Sequence, residues 1–199
     1  MRDLAPRLEA DLAALREGRM FEPGRELWLE IGFGGGEHLL ARAAENPEIG
    51  LVGCEPFVNG VAKLLAGIEA RGLTNLRVRV DDATGLIDAA PDETFSRIYL
   101  LYPDPWPKRR QLKRRFVSER NVAALARVLK LGGELRFATD IDDYAAWTLR
   151  RFVASPLFAW EARTADDWRR PWAGWAPTRY EAKARAAGRG SAYLTFKRR

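Results

Sequence analysis

Short apolar runs alternate with longer segments of helical periodicity along most of this 199-residue chain. Strands are predicted at Leu27–Ile31, Leu51–Cys54, Leu76–Val80, Ile98–Leu101 and Glu134–Ala138. Helices are predicted at Glu37–Glu45, Val58–Arg71, Arg114–Leu129 and Asp142–Val153, the third followed by the stop signal Gly132-Gly133. Because strands separated by such helices form βαβ units, the pattern predicts an α/β fold with a doubly wound, mostly parallel sheet and helices on both faces.

The pattern changes after Val153. Pro156 to Pro177 contains four tryptophans among prolines and glycines, which predicts irregular structure with its own apolar packing, although base stacking is the alternative. Ser191–Phe196 is predicted as a last strand that closes the sheet in the antiparallel direction. The length suits one domain, with residues 1–26 as a helical or irregular lead-in and residues 156–190 as a Trp-rich, basic segment on the substrate side.

The cysteine, histidine and charge content limits the class of protein. The one cysteine, Cys54, cannot form an internal disulfide, and the one histidine, His38, rules out a zinc site built from Cys/His clusters. The N-terminus lacks the apolar core of a signal peptide, and no apolar run approaches the roughly 18 residues of a membrane span, so a cytoplasmic protein is expected. Lys and Arg outnumber Asp and Glu by 33 to 27, which is compatible with a nucleic-acid partner.

A glycine-rich turn joins the first predicted strand to the first helix. Leu29 to Gly36 reads LEIGFGGG, which places Glu30, Gly32, Gly34 and Gly36 in an E-x-G-x-G-x-G pattern. Such glycines let the backbone bend sharply and approach a ligand at a helix N-terminus, although they can also be purely structural. Glu30 would repel a pyrophosphate but suits a cationic ligand such as the sulfonium and amino-acid end of S-adenosylmethionine (AdoMet).

Acidic residues follow three further predicted strands. Glu55 can hold the two hydroxyls of a ribose or be a surface carboxylate, and Asp81 and Asp82 can meet an adenine amino group or cap a helix. Asp104 follows Ile98–Leu101 and is held between two prolines. Because the carboxyl ends of parallel strands meet at one edge, Glu30 and these acids are predicted to line one crevice.

Basic and aromatic residues come directly after Asp104. Trp106 offers a flat apolar face, and Lys108 to Arg115 holds six bases in eight residues without an acid. This combination favours contact with a base and phosphates of a nucleic acid, and an ordinary solvated face is the alternative. Asp140, after the fifth strand, is predicted either to cap a helix or to contact substrate. His38 is predicted to be a first-turn helix residue rather than a catalyst.

Seven segments together resemble the bacterial tRNA (guanine-N7-)-methyltransferase family. They are LEIGFGGGEH, GCEP, Asp82-Ala83, YPDPWPKRR, the KRR that follows, ATD at Ala138 to Asp140, and TRYE at Thr178 to Glu181. PDPWPK followed by KRR is highly specific, and EIGFGGG is less so. One departure is mild, since Tyr180 stands where many members are expected to have phenylalanine.

The resemblance implies a seven-stranded, Rossmann-like class I methyltransferase fold, AdoMet as methyl donor and no metal. It implies transfer to N7 of a guanine in the tRNA variable loop (position 46), by a monomer or homodimer without an obligatory protein partner or membrane. The implied AdoMet contacts are Glu30, Gly32, Gly34, Gly36, Glu55, Asp82 and Asp104, and Asp104 is also the implied catalytic residue. The implied tRNA substrate contacts are Lys108, Asp140, Thr178, Arg179, Tyr180 and Glu181, and Arg110, Lys113, Arg114 and Arg115 are implied to grip RNA.

Two other functional classes stay open from the sequence. A nicotinamide-dependent oxidoreductase would share the glycine turn and Glu55, but it would leave the Asp104 segment and the basic tract without a role. A non-catalytic RNA-binding module would use the basic surface alone, and the intact Glu30, Gly32, Gly34 and Asp104 argue against it. Binding of NADH compared with binding of AdoMet separates the first of these from a methyltransferase.

Overall fold

The computed structural model describes residues 8–199, which form a sheet of seven strands covered by helices. The strands are β1 (Leu27–Ile31), β2 (Gly50–Cys54), β3 (Leu76–Arg79), β4 (Phe95–Leu101), β5 (Leu129–Thr139), β6 (Phe158–Trp160) and β7 (Ala192–Arg198). Their order is β3-β2-β1-β4-β5-β7-β6. Strands β1 to β5 run parallel, and β7 lies antiparallel to both β5 and β6. The doubly wound, mostly parallel sheet is therefore confirmed, and so is the antiparallel last strand.

The helices lie on both faces of this sheet. They are α1 (Leu12–Arg16), α2 (Glu37–Glu45), α3 (Val58–Arg71), α4 (Ala83–Ala89), α5 (Glu119–Val128), α6 (Asp142–Ala154), α7 (Asp166–Arg169) and α8 (Arg179–Ala186), with a 3₁₀ helix at Arg109–Arg114. Alternate strand residues enter two separate hydrophobic clusters, as the pleat requires. Ile98 and Leu100 pack with α1, α4, α5 and α6, whereas Tyr99 and Leu101 pack with α2 and α3.

The helix predicted at Arg114–Leu129 begins later in the structure. Ser118 is the N-cap of α5, and its hydroxyl accepts a hydrogen bond from the amide of Asn121 at 3.2 Å. The basic residues before it form the separate 3₁₀ helix. Gly132 and Gly133 lie within β5, where the pairing register with β4 shifts between Phe95 and Arg97. Helix α5 ends at Val128, before the two glycines, which instead lie near this register shift inside the strand.

Several elements were not predicted. Helices α4 and α8 and strand β6 belong to this group, and β6 lies in the segment predicted to be irregular. The predicted lead-in at residues 1–26 lies partly outside the described residues, and its described part contains α1. Of the helices formed by residues 8–199, none is long and apolar enough to cross a membrane.

Candidate active site

A cavity of ≈ 530 Å³ lies at the carboxyl ends of strands β1 to β4. The chain continues from β1 to β2 and β3 on one side and returns to β4 on the other side of β1, so this edge is the switch point where open α/β sheets bind ligands. The lining includes Ile31 and Gly32, Glu55 to Phe57, Asp81 to Thr84, Tyr102 to Asp104, Trp106, Lys113 to Phe116, Arg120, Asn121 and Tyr180.

The glycine turn adopts backbone conformations that favour glycine. Gly32, Gly34 and Gly36 have φ values of 69°, 58° and 79°. Helix α3 approaches this turn so closely that a Cβ atom on Gly60 would lie 2.1 Å from the carbonyl oxygen of Gly34. The turn is therefore held against the start of α3 by backbone packing, and its shape depends on Gly60.

Glu55 connects the end of β2 to the glycine turn. Its side chain is buried, Oε2 accepts a hydrogen bond from the amide of Gly34 at 2.8 Å, and Oε1 accepts one from the amide of Phe57 at 3.0 Å. A carboxylate has about four acceptor positions, so Glu55 retains capacity for a ligand hydroxyl at the cavity wall. The alternative that Glu55 is a surface carboxylate is wrong, because only 4% of the residue is exposed.

Glu30 lies behind the glycine turn. Only 3% of the residue is exposed, and its Oε2 lies 2.7 Å from Nδ1 of the buried His38. The His38 ring in turn contacts Tyr99 and Trp175, with centroid distances of 4.6 and 5.2 Å. The cavity lining found among residues 8–199 includes Glu55, Asp82 and Asp104 but not Glu30. The contact of Glu30 with AdoMet stays a prediction, since one hydrogen bond to His38 leaves the carboxylate with further acceptor positions.

The acids after β3 serve as caps and also line the cavity. Asp82 is the N-cap of α4, and its Oδ1 accepts a hydrogen bond from the amide of Thr84 at 2.7 Å. Asp81 pairs with Arg79 at 3.2 Å. Both carboxylates are exposed at the cavity wall, so the capping prediction is confirmed for Asp82 and its ligand contact remains compatible with the same geometry.

Asp104 lies on a loop with unusual backbone angles. The residue is exposed between Pro103 and Pro105, and the loop is flanked by Tyr102 at φ 49° and Trp106 at φ 40°. These are two of the three non-glycine residues with positive φ among residues 8–199. Such conformations cost about 1 to 3 kcal/mol each and concentrate at functional sites. The backbone on both sides of Asp104 therefore has the strain that is typical of functional sites.

Tyr102 is held by hydrogen bonds at its backbone amide and at its side-chain hydroxyl. Its amide donates to the carbonyl of Ala138 at 2.7 Å, and its hydroxyl donates to Oγ of Ser191 at 2.9 Å. Burial raises the pKa of the Tyr102 phenol. The ring consequently lines the cavity as a neutral aromatic surface beside Asp104.

The basic tract divides into exposed and buried members. Lys108, Arg110, Lys113 and Arg114 are exposed, and Arg114 lies over the Trp106 ring at 5.0 Å. Arg115 is only 3% exposed, and its guanidinium donates to the carbonyl of Pro105 and to Asp143. Arg115 also lines the cavity, and its predicted RNA contact stays a prediction, since its guanidinium is buried and already paired with Asp143.

The TRYE segment forms the beginning of α8. Thr178 is the N-cap, and its Oγ1 accepts a hydrogen bond from the amide of Glu181 at 3.2 Å. Glu181 is only 1% exposed and accepts from Trp175 Nε1 at 2.6 Å and from the Tyr193 hydroxyl at 3.0 Å. Within this segment Thr178 and Glu181 are therefore buried, whereas Tyr180 is exposed.

Tyr180 is the member of this segment that lines the cavity. Its ring lies 6.3 Å from the Tyr102 ring with an angle of 18° between the planes. A Cβ atom on Gly34 would lie 3.1 Å from the Tyr180 ring and 3.2 Å from the Arg179 guanidinium. The start of α8 thus covers the glycine turn, and the additional hydroxyl of Tyr180 accepts from Arg179 at 3.3 Å.

Asp140 forms an ion pair with Arg189 at 2.7 Å. The N-cap position of α6 is occupied by Ile141, so the prediction that Asp140 caps this helix is wrong. Its contact with substrate stays a prediction, since the side chain is 15% exposed.

Two tryptophans of the Trp-rich segment pack inside the protein. Trp172 and Trp175 each contact the Tyr193 ring edge to face with centroid distances of 5.5 Å, and Trp172 Nε1 donates to Thr195 Oγ1 at 2.8 Å. These two residues therefore support the packing alternative rather than base stacking.

Several cavity residues escaped the sequence argument. Phe57 lines the cavity and is 71% exposed. The available signal in the sequence was an aromatic residue two positions after Glu55. Ser118, Arg120 and Asn121 belong to the beginning of α5, which the misplaced helix start concealed. Among residues 8–199, no group of three or more His, Cys, Asp or Glu side chains is arranged to hold a metal ion.

Comparison with known proteins identifies the family. A family described as "Putative methyltransferase" matches residues 24–194. The chain is 54% identical to the tRNA (guanine-N(7)-)-methyltransferase of Rhodopseudomonas palustris strain BisA53, over 98% of this chain and 80% of that relative. The chain belongs to the tRNA (guanine-N7-)-methyltransferase family. The relative of the same name from Agrobacterium fabrum strain C58 is 58% identical over 88% of this chain and 75% of its own length.

Solved structures confirm the fold of this family member. An rRNA methylase from Streptococcus thermophilus superimposes with a TM-score of 0.59 at 10% identity, covering 87% of each chain. Precorrin-6y C5,15-methyltransferase from Geobacter metallireducens gives a TM-score of 0.59 at 12% identity, covering 87% of this chain and 78% of its own. At these identities the likeness shows the methyltransferase fold alone.

Proposed function

We propose that this protein transfers the methyl group of AdoMet to N7 of a guanine in the tRNA variable loop (position 46). Membership of the family supports the reaction class. The observation that carries the proposal is that Asp104 lines the same cavity as the acids Glu55 and Asp82 and the bases Lys113 and Arg114. A methyl donor and an anionic polymer would meet at this carboxylate.

The residues of the cavity fit AdoMet. Glu55 would hold the ribose hydroxyls, Asp82 would accept from the adenine amino group, and the glycine turn would receive the amino-acid end. Ile31, Phe57 and Ala83 supply apolar lining around these polar groups. When bound, AdoMet supplies an electrophilic methyl group on a positively charged sulfur.

The acceptor atom determines which protein groups are needed. Guanine N7 carries an in-plane lone pair and no proton, so methylation requires no base at that atom, and alignment and electrostatics dominate. The Asp104 carboxylate can accept from N1–H and the exocyclic amine of guanine, and it stabilises the positive charge that develops on the ring. Adenine offers no such pair of donors.

The guanine must leave ordinary stacking to reach this carboxylate. Side chains reach N7 poorly in the deep groove of A-form RNA, so a loop guanine is favoured. The Tyr102 and Tyr180 rings line the cavity beside Asp104 and offer apolar surface to a planar base. The exposed Lys108, Lys113 and Arg114 would contact phosphates.

The proposal is tested with two tRNA transcripts and labelled AdoMet. One transcript contains guanosine, and in the other every guanosine is replaced by 7-deazaguanosine, which has carbon in place of N7. Label should enter the first transcript only. Label in the 7-deaza transcript, or in neither, would contradict methylation at N7. The nicotinamide alternative would instead require tight NADH binding without AdoMet binding.

Glu55→Gln is expected to weaken AdoMet binding by about 1 to 2 kcal/mol, because hydrogen bonds to an ionised acceptor are stronger than those to an amide. Isothermal titration calorimetry measures this change. Glu48→Gln, at an exposed position, is the matched control and should leave the affinity unchanged. Equal affinities in both variants would remove Glu55 from the AdoMet site.

Replacing Arg110, Lys113 and Arg114 by glutamine is expected to weaken tRNA binding and to reduce its salt-dependence slope by about two to three units, because each lost phosphate contact removes about one counterion. Filter binding across a range of salt concentrations measures the slope. The control replaces Lys63, Arg71 and Arg150, three exposed bases on α3 and α6. If both triple variants lowered the slope equally, the basic tract would have no special role.

A further inference from the structure

Arg115 differs from the basic residues that precede it in sequence. Lys113 and Arg114 are exposed, whereas the Arg115 side chain is only 1% exposed. A guanidinium this deeply buried is costly unless its charge and N–H groups find partners in the protein. Nε and Nη2 have such partners among the described residues, whereas Nη1 is buried without one.

Those contacts join the Asp104 loop to helix α6. Nε donates to the carbonyl oxygen of Pro105 at 2.7 Å, and Nη2 pairs with Asp143 on the first turn of α6. The guanidinium carbon also lies 4.8 Å from the Tyr144 ring centroid and 4.9 Å from that of Trp147. Cation and π-system attract each other at such distances, so the aromatic faces hold the charge as well.

Helix α6 is held in place by packing and hydrogen bonding of its own side chains. Tyr144 is completely buried, and Trp147 Nε1 donates to the carbonyl of Val117 at 2.7 Å. Burial raises the pKa of Tyr144 to about 12, so this ring faces Arg115 as a neutral phenol. Asp140, a predicted substrate contact, lies two residues before this helix begins.

The Asp104 loop needs such an anchor. Pro103 and Pro105 have no N–H groups, so the loop lacks two of the donors that normally fix a backbone. Its flanking residues Tyr102 and Trp106 have positive φ, a conformation that persists only when the surroundings enforce it. The Pro105 carbonyl lies one residue from Asp104, and Arg115 holds it from inside.

We infer that Arg115 is a positioning residue, which fixes the Asp104 carboxylate for methyl transfer and does not contact RNA. The inference rests on the proposed function for its kinetic readout. Arg115 and Asp143 set the rate of the bound complex, whereas the exposed Arg114 sets the affinity for tRNA. The two neighbouring arginines therefore have separable roles.

The test compares Arg115→Lys, Asp143→Asn and Arg114→Gln with the wild-type protein. Single-turnover methyl transfer is measured at saturating tRNA and AdoMet, and tRNA binding is measured across salt concentrations. Arg115→Lys keeps the charge but cannot reach Pro105 and Asp143 together in the same geometry. It should lose about tenfold in rate, since small misplacements of a reacting group are costly, with an unchanged salt slope. Asp143→Asn should also lower the single-turnover rate, because it removes the charged partner of Arg115.

Arg114→Gln should instead reduce the salt slope by about one unit, because it removes one phosphate contact. If Arg115→Lys instead behaved like Arg114→Gln, Arg115 would be an RNA contact and the inference would fail. If Arg115→Lys did not fold, Asp143→Asn would decide, because Asp143 is exposed, and an unchanged rate in that variant would overturn the inference. Absence of methyl transfer by the wild-type protein would instead refute the proposed function.

Discussion

Asp104→Asn is expected to lower the single-turnover rate of methyl transfer by about 10²-fold or more, through loss of an electrostatic interaction of a few kcal/mol. The substitution keeps the shape of the side chain but turns one acceptor oxygen into a donor. Guanine N1–H and the exocyclic amine would then face a mismatched partner, and the developing positive charge would lose its counter-charge. The fold should persist because Asp104 is exposed on a loop.

Asp92→Asn provides the matched control for this change. Asp92 is also exposed, and its contact with Arg127 is a surface ion pair of small energetic value. Rapid-quench measurements at saturating tRNA and AdoMet should separate the two variants clearly. Near wild-type turnover by Asp104→Asn would end the catalytic assignment of Asp104, even if the protein remained a methyltransferase.

Gly60→Ala is expected to weaken AdoMet binding by about 1 to 3 kcal/mol, because a displaced glycine turn leaves hydrogen-bonding groups at the site poorly paired. A Cβ atom at this position would lie 2.1 Å from the Gly34 carbonyl oxygen, which is backbone and cannot move without shifting the glycine turn. The same displacement would disturb the hydrogen bond between the Gly34 amide and Glu55. Calorimetric titration with AdoMet measures the loss.

Gly85→Ala is the control for the effect of alanine in a helix. Gly85 lies in α4, and a Cβ atom there would meet no heavy atom within 4 Å. Alanine should stabilise the protein by about 0.5 to 1 kcal/mol without changing AdoMet affinity, since it lowers the entropy of the unfolded chain. Wild-type AdoMet affinity in Gly60→Ala would show that the turn does not form the cofactor site in this conformation.

The sheet and the glycine turn were predictable because their signals are local. Leu27–Ile31 was predicted with the observed bounds, and Gly32 to Gly36 follow it directly. Apolar periodicity reports such elements without knowledge of the rest of the chain. The start of α5 depended on Ser118 acting as a cap, and the basic residues before it continue a helical pattern closely enough to conceal that cap.

The fates of individual charged residues were less predictable. Arg114 and Arg115 are neighbouring residues of the same type. Arg114 lies over the Trp106 ring at the surface, whereas Arg115 is buried against Trp147 of α6. Glu30 and Glu55 both sit at strand ends, but only Glu30 meets His38. These outcomes depend on contacts with side chains that are distant in sequence, and the amino-acid sequence alone does not reveal such contacts. The cavity lining therefore includes the predicted acids Glu55, Asp82 and Asp104, whereas Glu30 and Glu181 are buried against neighbouring side chains.

The position of the methyl group in the tRNA product distinguishes guanine N7 from every other acceptor atom. An unmodified tRNA transcript is treated with this protein and labelled AdoMet, reduced with borohydride and cleaved with aniline, which cuts the chain at 7-methylguanosine. We expect one cut at a guanine of the variable loop, and none when the protein carries Asp104→Asn under single-turnover conditions limited in time. Stable incorporation of label without any aniline cut would show that the methyl group is on another atom, and it would refute methylation at N7.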